Sequence, residues 1–263
     1  MKKYIFSTII CAFALLCMFS ISLGAAASVV RWGLGYEKGV DIPIGNKSAE
    51  YLIEYNSYFH GAFNPDEKVL YLTFDAGYEN GHTEKILDTL KETNVPATFF
   101  LVGTYLKSNP ELIARMVEEG HIIGNHTVSH ADMTTKNAKE FGDELKKFEE
   151  IYESIIGSPT PKYYRPPEGV FNESNLAVAN ELGYETVLWS ATYADWDNKK
   201  QPSHEHAFEK LMPRLHPGGI ILLHSTSATS TEILGEFIAK CRAEGYEFRN
   251  IDEIIDKFGQ VLG

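Results

Sequence analysis

The feature that most constrains this fold is an alternation of short apolar runs with helical patterns, which begins at Lys68 and continues to the end of the chain. Strands that alternate with helices are joined by crossover connections, so the pattern predicts a parallel α/β sheet. Periodicity alone leaves two architectures open, a closed barrel and an open doubly wound sheet. The strand-like runs are 69–74, 97–102, 121–125, 163–165, 185–190 and 219–224, with one further run at 248–251.

Three helices are predicted between these runs. Asn109-Pro110 begins the first, because proline suits the first helical position, and Gly120 ends it. The second ends at Gly157 and the third at Gly245. Their apolar stripes are Leu112, Ile113, Met116 and Val117; Phe141, Leu145, Phe148, Tyr152 and Ile155; and Ile233, Leu234, Phe237, Ile238 and Cys241.

The N-terminal segment differs from the rest of the chain. Lys2 and Lys3 precede an uncharged run that extends to Val30 and contains a cluster of small residues. This pattern predicts a secretory signal, 1–27, cut after Ala27. Because the run is long enough to span a bilayer, an uncleaved membrane anchor is the alternative. Both interpretations predict that the protein is exported. An N-terminal extension, 28–67, and a main domain, 68–263, are predicted to follow this segment.

Composition excludes several classes of protein. A chain with 44% hydrophobic and 23% charged residues is typical of a globular protein. Its net charge of −12 argues against a nucleic-acid partner, because phosphate binding needs the opposite sign. Cys11 and Cys17 lie in the predicted signal, which leaves Cys241 and no internal disulfide.

Polar residues follow the apolar runs at the ends where parallel α/β proteins place their chemistry. Because these ends meet at one edge of the sheet, the residues are expected to converge on one site. They are Asp75, the pair His126 and His130, Arg165, Asp195-Trp196 and His224.

Each residue also has a structural explanation. Asp75 could cap a helix near Asn80, and Arg165 could form a surface ion pair. The two histidines could lie on a helix surface, although Asn125 beside them adds an oxygen ligand and favours a metal site. Trp196 could belong to the core, and His224 could be a buried histidine with satisfied hydrogen bonds.

The ordered set of motifs carries a resemblance. Thr-Phe-Asp, His-x-x-x-His, Arg-Pro-Pro-x-Gly, Asp-Trp and Leu-x-His resemble the motifs of the polysaccharide deacetylases, carbohydrate esterase family 4, with the NodB-homology domain. The resemblance covers about 68–250. It implies a distorted (β/α) barrel, usually of seven strands, and metal-dependent removal of acetyl groups from amino sugars or, less often, from O-acetylated glycans.

Longer stretches around the motifs resemble a narrower group, the delta-lactam-biosynthetic deacetylases, which act on muramic acid in the endospore cortex. Examples are Thr73-Phe74-Asp75-x-Gly77 with its continuation to Gly81, and the stretch 120–126. This resemblance implies an exported N-acetylmuramate deacetylase of cell wall or spore cortex that acts on the peptidoglycan glycan strand. A membrane would be involved only if the signal is not cleaved.

The family resemblance also implies roles. Asp75 would be the base, held ionised by Arg165, and His224 would be the acid, with Asp195 favouring its protonated form. His126 and His130 would bind the metal. Substrate-binding roles would fall to Trp196, Leu222, Pro166 and Tyr78, with Trp196 and Leu222 as walls of the pocket.

One residue departs from the family pattern. The family's first motif usually has a second aspartate that completes the metal site, and this chain has Ala76 there, as the muramic acid group tends to. We therefore expect a weakly bound divalent ion. Zinc suits imidazole ligands, and manganese or cobalt would suit a remainder rich in oxygen.

Two other functions stay open. Because Ala76 replaces the usual metal-binding aspartate, the protein could be a catalytically inactive glycan-binding module. The other alternative, a deacetylase of chitin-like or O-acetylated polysaccharide, differs from the first function only in substrate. For muramate, we expect a cationic side chain near the lactyl carboxylate. Arg165 and Lys162 are the candidates at strand ends.

Overall fold

The computed structural model describes residues 28–37, 42–61, 64 and 66–254. The predicted signal, 1–27, lies outside these residues, so its cleavage stays a prediction. Within the described residues, no helix is both long enough and apolar enough to cross a membrane.

The described residues contain thirteen strands, several of them only two residues long. They are β1 (Val30–Arg31), β2 (Leu34–Gly35), β3 (Ile44–Gly45), β4 (Ser57–Tyr58), β5 (Val69–Ala76), β6 (Thr98–Leu101), β7 (Ile122–Asn125), β8 (Tyr163–Tyr164), β9 (Val170–Phe171), β10 (Glu185–Val187), β11 (Ala191–Thr192), β12 (Gly219–His224) and β13 (Glu247–Phe248).

Eight α-helices occur in the same residues, together with three short 3-10 helices. The α-helices are α1 (Ala49–Ile53), α2 (Thr83–Thr93), α3 (Gly103–Ser108), α4 (Pro110–Glu118), α5 (Ala138–Ile156), α6 (Glu173–Glu181), α7 (His204–Leu211) and α8 (Ala228–Ala243). The 3-10 helices are Met133–Thr135, Pro167–Gly169 and Met212–Arg214.

The three helices predicted from the sequence are confirmed, with the expected ends. Pro110 occupies the first turn of α4. Helix α5 begins with a capping box formed by Asn137 and Glu140, and Gly157 ends it in the left-handed conformation, φ 79°. Helix α8 ends just before Gly245.

One parallel sheet organises the molecule. Its strands run in the order β11-β12-β5-β6-β7-β8-β10-β4, and β13 pairs with the start of β5. Beyond β4, His60 forms an isolated antiparallel bridge with Gly219 at the start of β12, and this bridge links the two sides of the curled sheet. The predicted distorted (β/α) barrel is confirmed. The resemblance implies seven strands, and β4 and β13 bring this sheet to nine in the described part of the chain.

Strand β5 lies between β12 and β6 in the sheet, and all eight of its residues are buried. Leu72 and Phe74 belong to the large apolar cluster that joins the sheet to its helices. Because side chains alternate along a strand, Thr73 and Asp75 point to the opposite, inner face.

The extension preceding the main domain packs against it. Its strand β4 pairs with β10, and β1 pairs with β9 just after the Arg-Pro-Pro motif. The Trp32 indole N–H donates to the Trp189 carbonyl of the main domain at 3.0 Å, and within the extension the Trp32 and Phe59 ring centroids are 5.0 Å apart. The domain boundary near 67 stays a prediction.

Candidate active site

The site lies at the C-terminal ends of β5 and β12. These strands pair in parallel, with His224 in register with Asp75. Ile221 and Leu223 belong, with Leu72 and Phe74, to the apolar cluster between the sheet and its helices, here called the outer apolar cluster. Leu222 and His224 therefore face the inside of the barrel. The predicted base and the predicted acid therefore share one face of adjacent strands.

Asp75 carries an ionised carboxylate. Its Oδ1 accepts a hydrogen bond from Arg165 Nη1 at 2.8 Å, and its Oδ2 lies 3.6 Å from His126 Nε2. Burial alone would raise the pKa of Asp75, but Arg165, His126 and His224 outweigh burial and lower it below its ordinary value. The carboxylate is therefore unprotonated and able to accept a proton near neutral pH.

Arg165 is completely buried, so it is not the surface ion pair of the structural alternative. Its Nε donates to the Val187 carbonyl at 3.0 Å and its Nη2 to the Leu188 carbonyl at 3.2 Å. Nη1 donates to Thr73 Oγ1 at 2.9 Å as well as to Asp75. These bonds fix the guanidinium in one orientation, and with it the carboxylate.

A glycine makes room for this guanidinium. Arg165 lies over the ring of Phe100, 4.0 Å from its centroid. A Cβ at Gly124 on the neighbouring strand would lie only 2.5 Å from the Phe100 ring. Gly124 therefore lets Phe100 occupy the position on which Arg165 packs.

His126 and His130 lie in the loop after β7 rather than on a helix. Thr127 and His130 both adopt positive φ, 66° and 55°, which folds the loop back. The two imidazole centroids are 4.9 Å apart. Glu144 of α5 holds the loop by accepting the backbone N–H of Ser129 at 3.0 Å.

The tautomer of His126 follows from its partners. Its Nδ1 lies 2.8 Å from the Arg165 carbonyl, which can only accept, so Nδ1 carries the proton. Burial lowers the pKa of His126 to about 4, so the ring is neutral. Its Nε2 lone pair therefore faces the ionised Asp75.

The donor set fits a divalent ion with a short list of protein ligands. In the described part of the chain, no group of three or more His, Cys, Asp and Glu side chains is arranged to hold a metal. Two adjacent imidazoles, His126 and His130, are nevertheless suitable ligands, with Nε2 of His126 unprotonated. Two acceptor atoms that face each other, Nε2 and Asp75 Oδ2, also favour a cation between them.

Two other residues do not add ligands. Ala76 is buried in the outer apolar cluster. Asn125, expected as an oxygen ligand, uses its Oδ1 to accept from the Thr127 N–H at 2.9 Å, and its Nδ2 donates to Tyr184 and Leu145.

His224 pairs with a wholly buried Asp195. Nδ1 of His224 lies 2.7 Å from Asp195 Oδ1, and its backbone N–H donates to Oδ2 at 2.9 Å. Burial alone would lower the pKa of His224, but Asp195 and Asp75 outweigh it and raise the pKa above its ordinary value. The imidazole is therefore suited to donate a proton.

Two of the aromatic side chains with predicted substrate-binding roles are exposed. Trp196 is 61% exposed rather than part of the core, and its ring centroid lies 6.3 Å from that of His224. Tyr78 is 55% exposed, and its hydroxyl accepts a hydrogen bond from Asn198. Pro166 and Leu222 are buried. The substrate-binding roles of these residues stay predictions.

The structure brings the predicted base, acid and metal ligands together, but not every candidate belongs to the site. Lys162 precedes β8, at the opposite end of the strand, and its Nζ pairs with Glu149 at 2.6 Å. Asp75 caps no helix, since the Glu79 carboxylate accepts the N–H groups of Gly81 and His82 before α2.

Sequence reasoning assigned no role to Thr73 or Glu144. Thr73 had a signal, because it lies two residues before Asp75 and therefore on the same face of β5. Glu144 is one of several acidic residues on α5, and nothing in the pattern distinguishes it.

Comparisons with known proteins agree with this geometry. Residues 63–187 match the family model described as Polysaccharide deacetylase. The chain is 42% identical over 227 residues to the Bacillus subtilis peptidoglycan-N-acetylmuramic acid deacetylase PdaA, covering 86% of each chain. The solved PdaA structure, a family 4 carbohydrate esterase, has a TM-score of 0.81 at 41% identity and covers 87% of this chain and 97% of that one.

Two further solved structures extend the comparison. A family 4 carbohydrate esterase from Bacillus anthracis has a TM-score of 0.71 at 38% identity, covering 87% of this chain and 97% of that one. A family 4 pseudoenzyme from the same organism has a TM-score of 0.69 at 29% identity, covering 75% and 68%. Divalent-metal dependence is general in this family. The chain belongs to the polysaccharide deacetylase family, carbohydrate esterase family 4, a family of hydrolases characterised by action on N-acetyl groups.

Proposed function

We propose that this protein is a peptidoglycan deacetylase that hydrolyses the N-acetyl group of N-acetylmuramic acid. One observation carries the proposal. Asp75 and His224 lie side by side on adjacent strands, the pKa of Asp75 is lowered so that it is ionised, and the pKa of His224 is raised. Its similarity to PdaA, named for the same sugar, supports the choice of substrate.

Hydrolysis of an acetamide needs an activated water, because the carbonyl is a weak electrophile. Asp75 accepts a proton from the water as its oxygen attacks the carbonyl carbon. The bond from Arg165 at 2.8 Å keeps the Asp75 carboxylate ionised and oriented for this transfer.

The second step needs a proton for the nitrogen, because an amide anion is a poor leaving group. Asp195 holds the Nδ1–H of His224, which leaves the Nε2–H free to face the substrate. Transfer of this proton to the amide nitrogen accompanies cleavage of the C–N bond, releasing acetate and an amine.

A divalent ion would bind His126 and His130, and zinc is the ion that imidazole ligands favour. When bound, the ion supplies Lewis acid chemistry, since it polarises the carbonyl and lowers the pKa of water. With two protein ligands, we expect weak, exchangeable binding.

The product would lead to a lactam. Deacetylation of muramate exposes an amine beside the lactyl carboxylate, and the two can close a six-membered ring. Arg165 and Lys162, the two candidates for recognising this carboxylate, already bind Asp75 and Glu149. We further propose export through the segment 1–27 and action in the cell wall or spore cortex.

The test is mass spectrometry of glycan treated with the purified protein and divalent metal, then digested to disaccharides. The glycan carries muramate from which the peptide has been removed, and the Asp75→Asn variant is the matched control. Loss of acetyl from muramate, with or without loss of water, supports the proposal. Deacetylated glucosamine beside intact muramate would overturn the substrate and leave the chemistry standing.

One observation favours a second function, an inactive glycan-binding module. Ala76 stands where the family usually has a metal-binding aspartate, and one similar structure is described as a pseudoenzyme. The same assay distinguishes the two functions, because a binding module retains glycan but releases no acetate under any metal. A deacetylase of chitin-like or O-acetylated polysaccharide would instead act on those glycans.

A further inference from the structure

The Asp195 carboxylate has a partner on its far side that none of the sequence motifs includes. Asp195 Oδ1 meets His224 Nδ1, while Oδ2 accepts from Ser230 Oγ at 2.6 Å. Ser230 lies in the first turn of α8 and is completely buried. A hydrogen bond to a buried carboxylate is charge-assisted and stronger than one between neutral groups.

This bond belongs to a directional chain of hydroxyl groups. A carboxylate can only accept, so Ser230 spends its one proton on Asp195. The Tyr193 hydroxyl, 2.7 Å from Ser230 Oγ, must then be the donor to Ser230. Burial, with Asp195 nearby, raises the pKa of Tyr193, so that its hydroxyl keeps its proton.

The neighbouring residue shows that this geometry is not the usual one for a helix. Serine and threonine hydroxyls inside helices commonly bond to the carbonyl four residues earlier. Thr231 does so, donating to the Ser227 carbonyl at 2.7 Å. Ser230, one residue before it, donates instead to the carboxylate that orients His224.

We propose that Ser230 is a positioning residue for the deacetylation, an inference that rests on the proposed function. Its hydroxyl fixes the Asp195 rotamer in which Oδ1 meets His224 Nδ1. Because the Nδ1 contact orients the ring, Ser230 thereby aims the Nε2–H of His224 at the leaving nitrogen. Tyr193 acts one step further out, by orienting the Ser230 hydroxyl.

The test compares four variants, Ser230→Ala, Ser230→Thr, Tyr193→Phe and Thr231→Val, with the natural protein. Ser230→Ala removes the bond to Asp195, and Tyr193→Phe removes the outer donor. Thr231→Val is the matched control, because it deletes a buried hydroxyl from the adjacent helix position without touching Asp195. The readouts are kcat and KM for acetate release, and the low-field NMR signal of the His224 Nδ1 proton, assigned with His224→Gln.

We expect Ser230→Ala to lower kcat about tenfold with little change in KM, because one charge-assisted bond that orients the acid is lost. The Nδ1 proton signal should move upfield in the same variant. Tyr193→Phe should show a smaller change in the same direction, and Thr231→Val none. Ser230→Thr, which keeps the hydroxyl, should restore the signal.

The inference is overturned if Ser230→Ala matches Thr231→Val in both readouts. Should Ser230→Ala fail to fold, Tyr193→Phe decides by the same comparison with Thr231→Val. The NMR signal needs no substrate. If the natural protein releases no acetate, the proposed function is contradicted. The NMR signal of the His224 Nδ1 proton would still test the role of Ser230.

Discussion

The two charged pairs of the site are built alike, with the charges reversed. In the Asp75–Arg165 pair a buried cation holds an anion, and in the His224–Asp195 pair a buried anion holds a cation. In both, the holding residue is wholly buried and the held residue keeps some exposure, 10% of the side chain for Asp75 and 22% for His224. The reactive group of each pair is the one that substrate can reach.

The difference lies in how the holding residue is itself held. Arg165 donates to the backbone carbonyls of Val187, the last residue of β10, and of Leu188 just after it, and to the Thr73 hydroxyl. Asp195 accepts from a backbone N–H and a serine hydroxyl. Each pair moves the pKa of its reactive group in the direction its task requires, so that a base and an acid coexist at one pH.

The largest effect is expected when the Asp75–Arg165 pair loses its base. Asp75→Asn keeps the shape but removes the proton acceptor, so kcat/KM should fall about a thousandfold. Acetate release from muramate glycan measures the effect, and circular dichroism checks the fold. Near-normal turnover would contradict the assignment of the base and favour the glycan-binding alternative.

Removing the buried cation should cost stability as well as activity. Arg165→Met leaves Asp75 buried without its partner, which should lower the free energy of unfolding by about 3–5 kcal/mol. Urea unfolding measures this, with Arg115→Met as the control, since Arg115 pairs with Asp88 and Glu119 nearer the surface. If both variants lose the same free energy of unfolding, burial of the Asp75–Arg165 pair does not increase the cost of removing its cation.

The two pairs should lose their contributions at opposite ends of the pH scale. The pKa of His224 is raised, so its pair contributes fully below about pH 6.5 and loses its contribution as pH rises through the folded pKa. The pKa of Asp75 is lowered, so its contribution is present above about pH 3.8 and is lost as pH falls through the folded pKa.

The pKa of His224 should also set the alkaline limb of the pH profile of kcat/KM. The limb should lie above pH 6.5 in the natural protein and move to lower pH in Asp195→Asn, because the carboxylate that raises the pKa of His224 is gone. A kcat/KM profile of both proteins measures the shift. An unmoved limb would mean that another group limits the rate at high pH.

Substitution of His126 or His130 should weaken metal binding, whereas substitution of a histidine elsewhere in the chain should not. His126→Ala and His130→Ala should each weaken zinc binding by at least about tenfold, since either removes one of two protein ligands. Calorimetry with zinc alone gives the affinities. His204→Ala is the control, because His204 lies on α7 and pairs with Glu232 of α8. Unchanged affinity in the first two variants would remove the metal assignment.

Much of this architecture could be predicted from the sequence. The run 219–224 coincides with β12, and the run 69–74 lies within β5, because apolar runs between turn residues leave few alternatives to a buried strand. Parallel strands then bring Asp75 and His224 to one edge. The convergence of the site followed from topology before any side-chain contact was known.

The supporting contacts could not be predicted in the same way. Ser230 and Glu144 reach the site from helices whose rotation and distance depend on packing between elements far apart in sequence. The pairing of Lys162 with Glu149 is of the same kind. A sequence pattern gives the face of a helix, but it does not give the partner of one polar side chain on that face.

The smallest predicted effect concerns substrate contact outside both pairs. Trp196 is exposed at the rim with its ring 6.3 Å from that of His224, so stacking on a sugar would contribute binding rather than chemistry. Trp196→Ala should raise KM about fivefold with kcat little changed, and Trp196→Phe should retain most of the binding. Steady-state kinetics on muramate oligosaccharides measures both constants. A fall in kcat at constant KM would instead mean that Trp196 works through His224 and belongs with the His224–Asp195 pair.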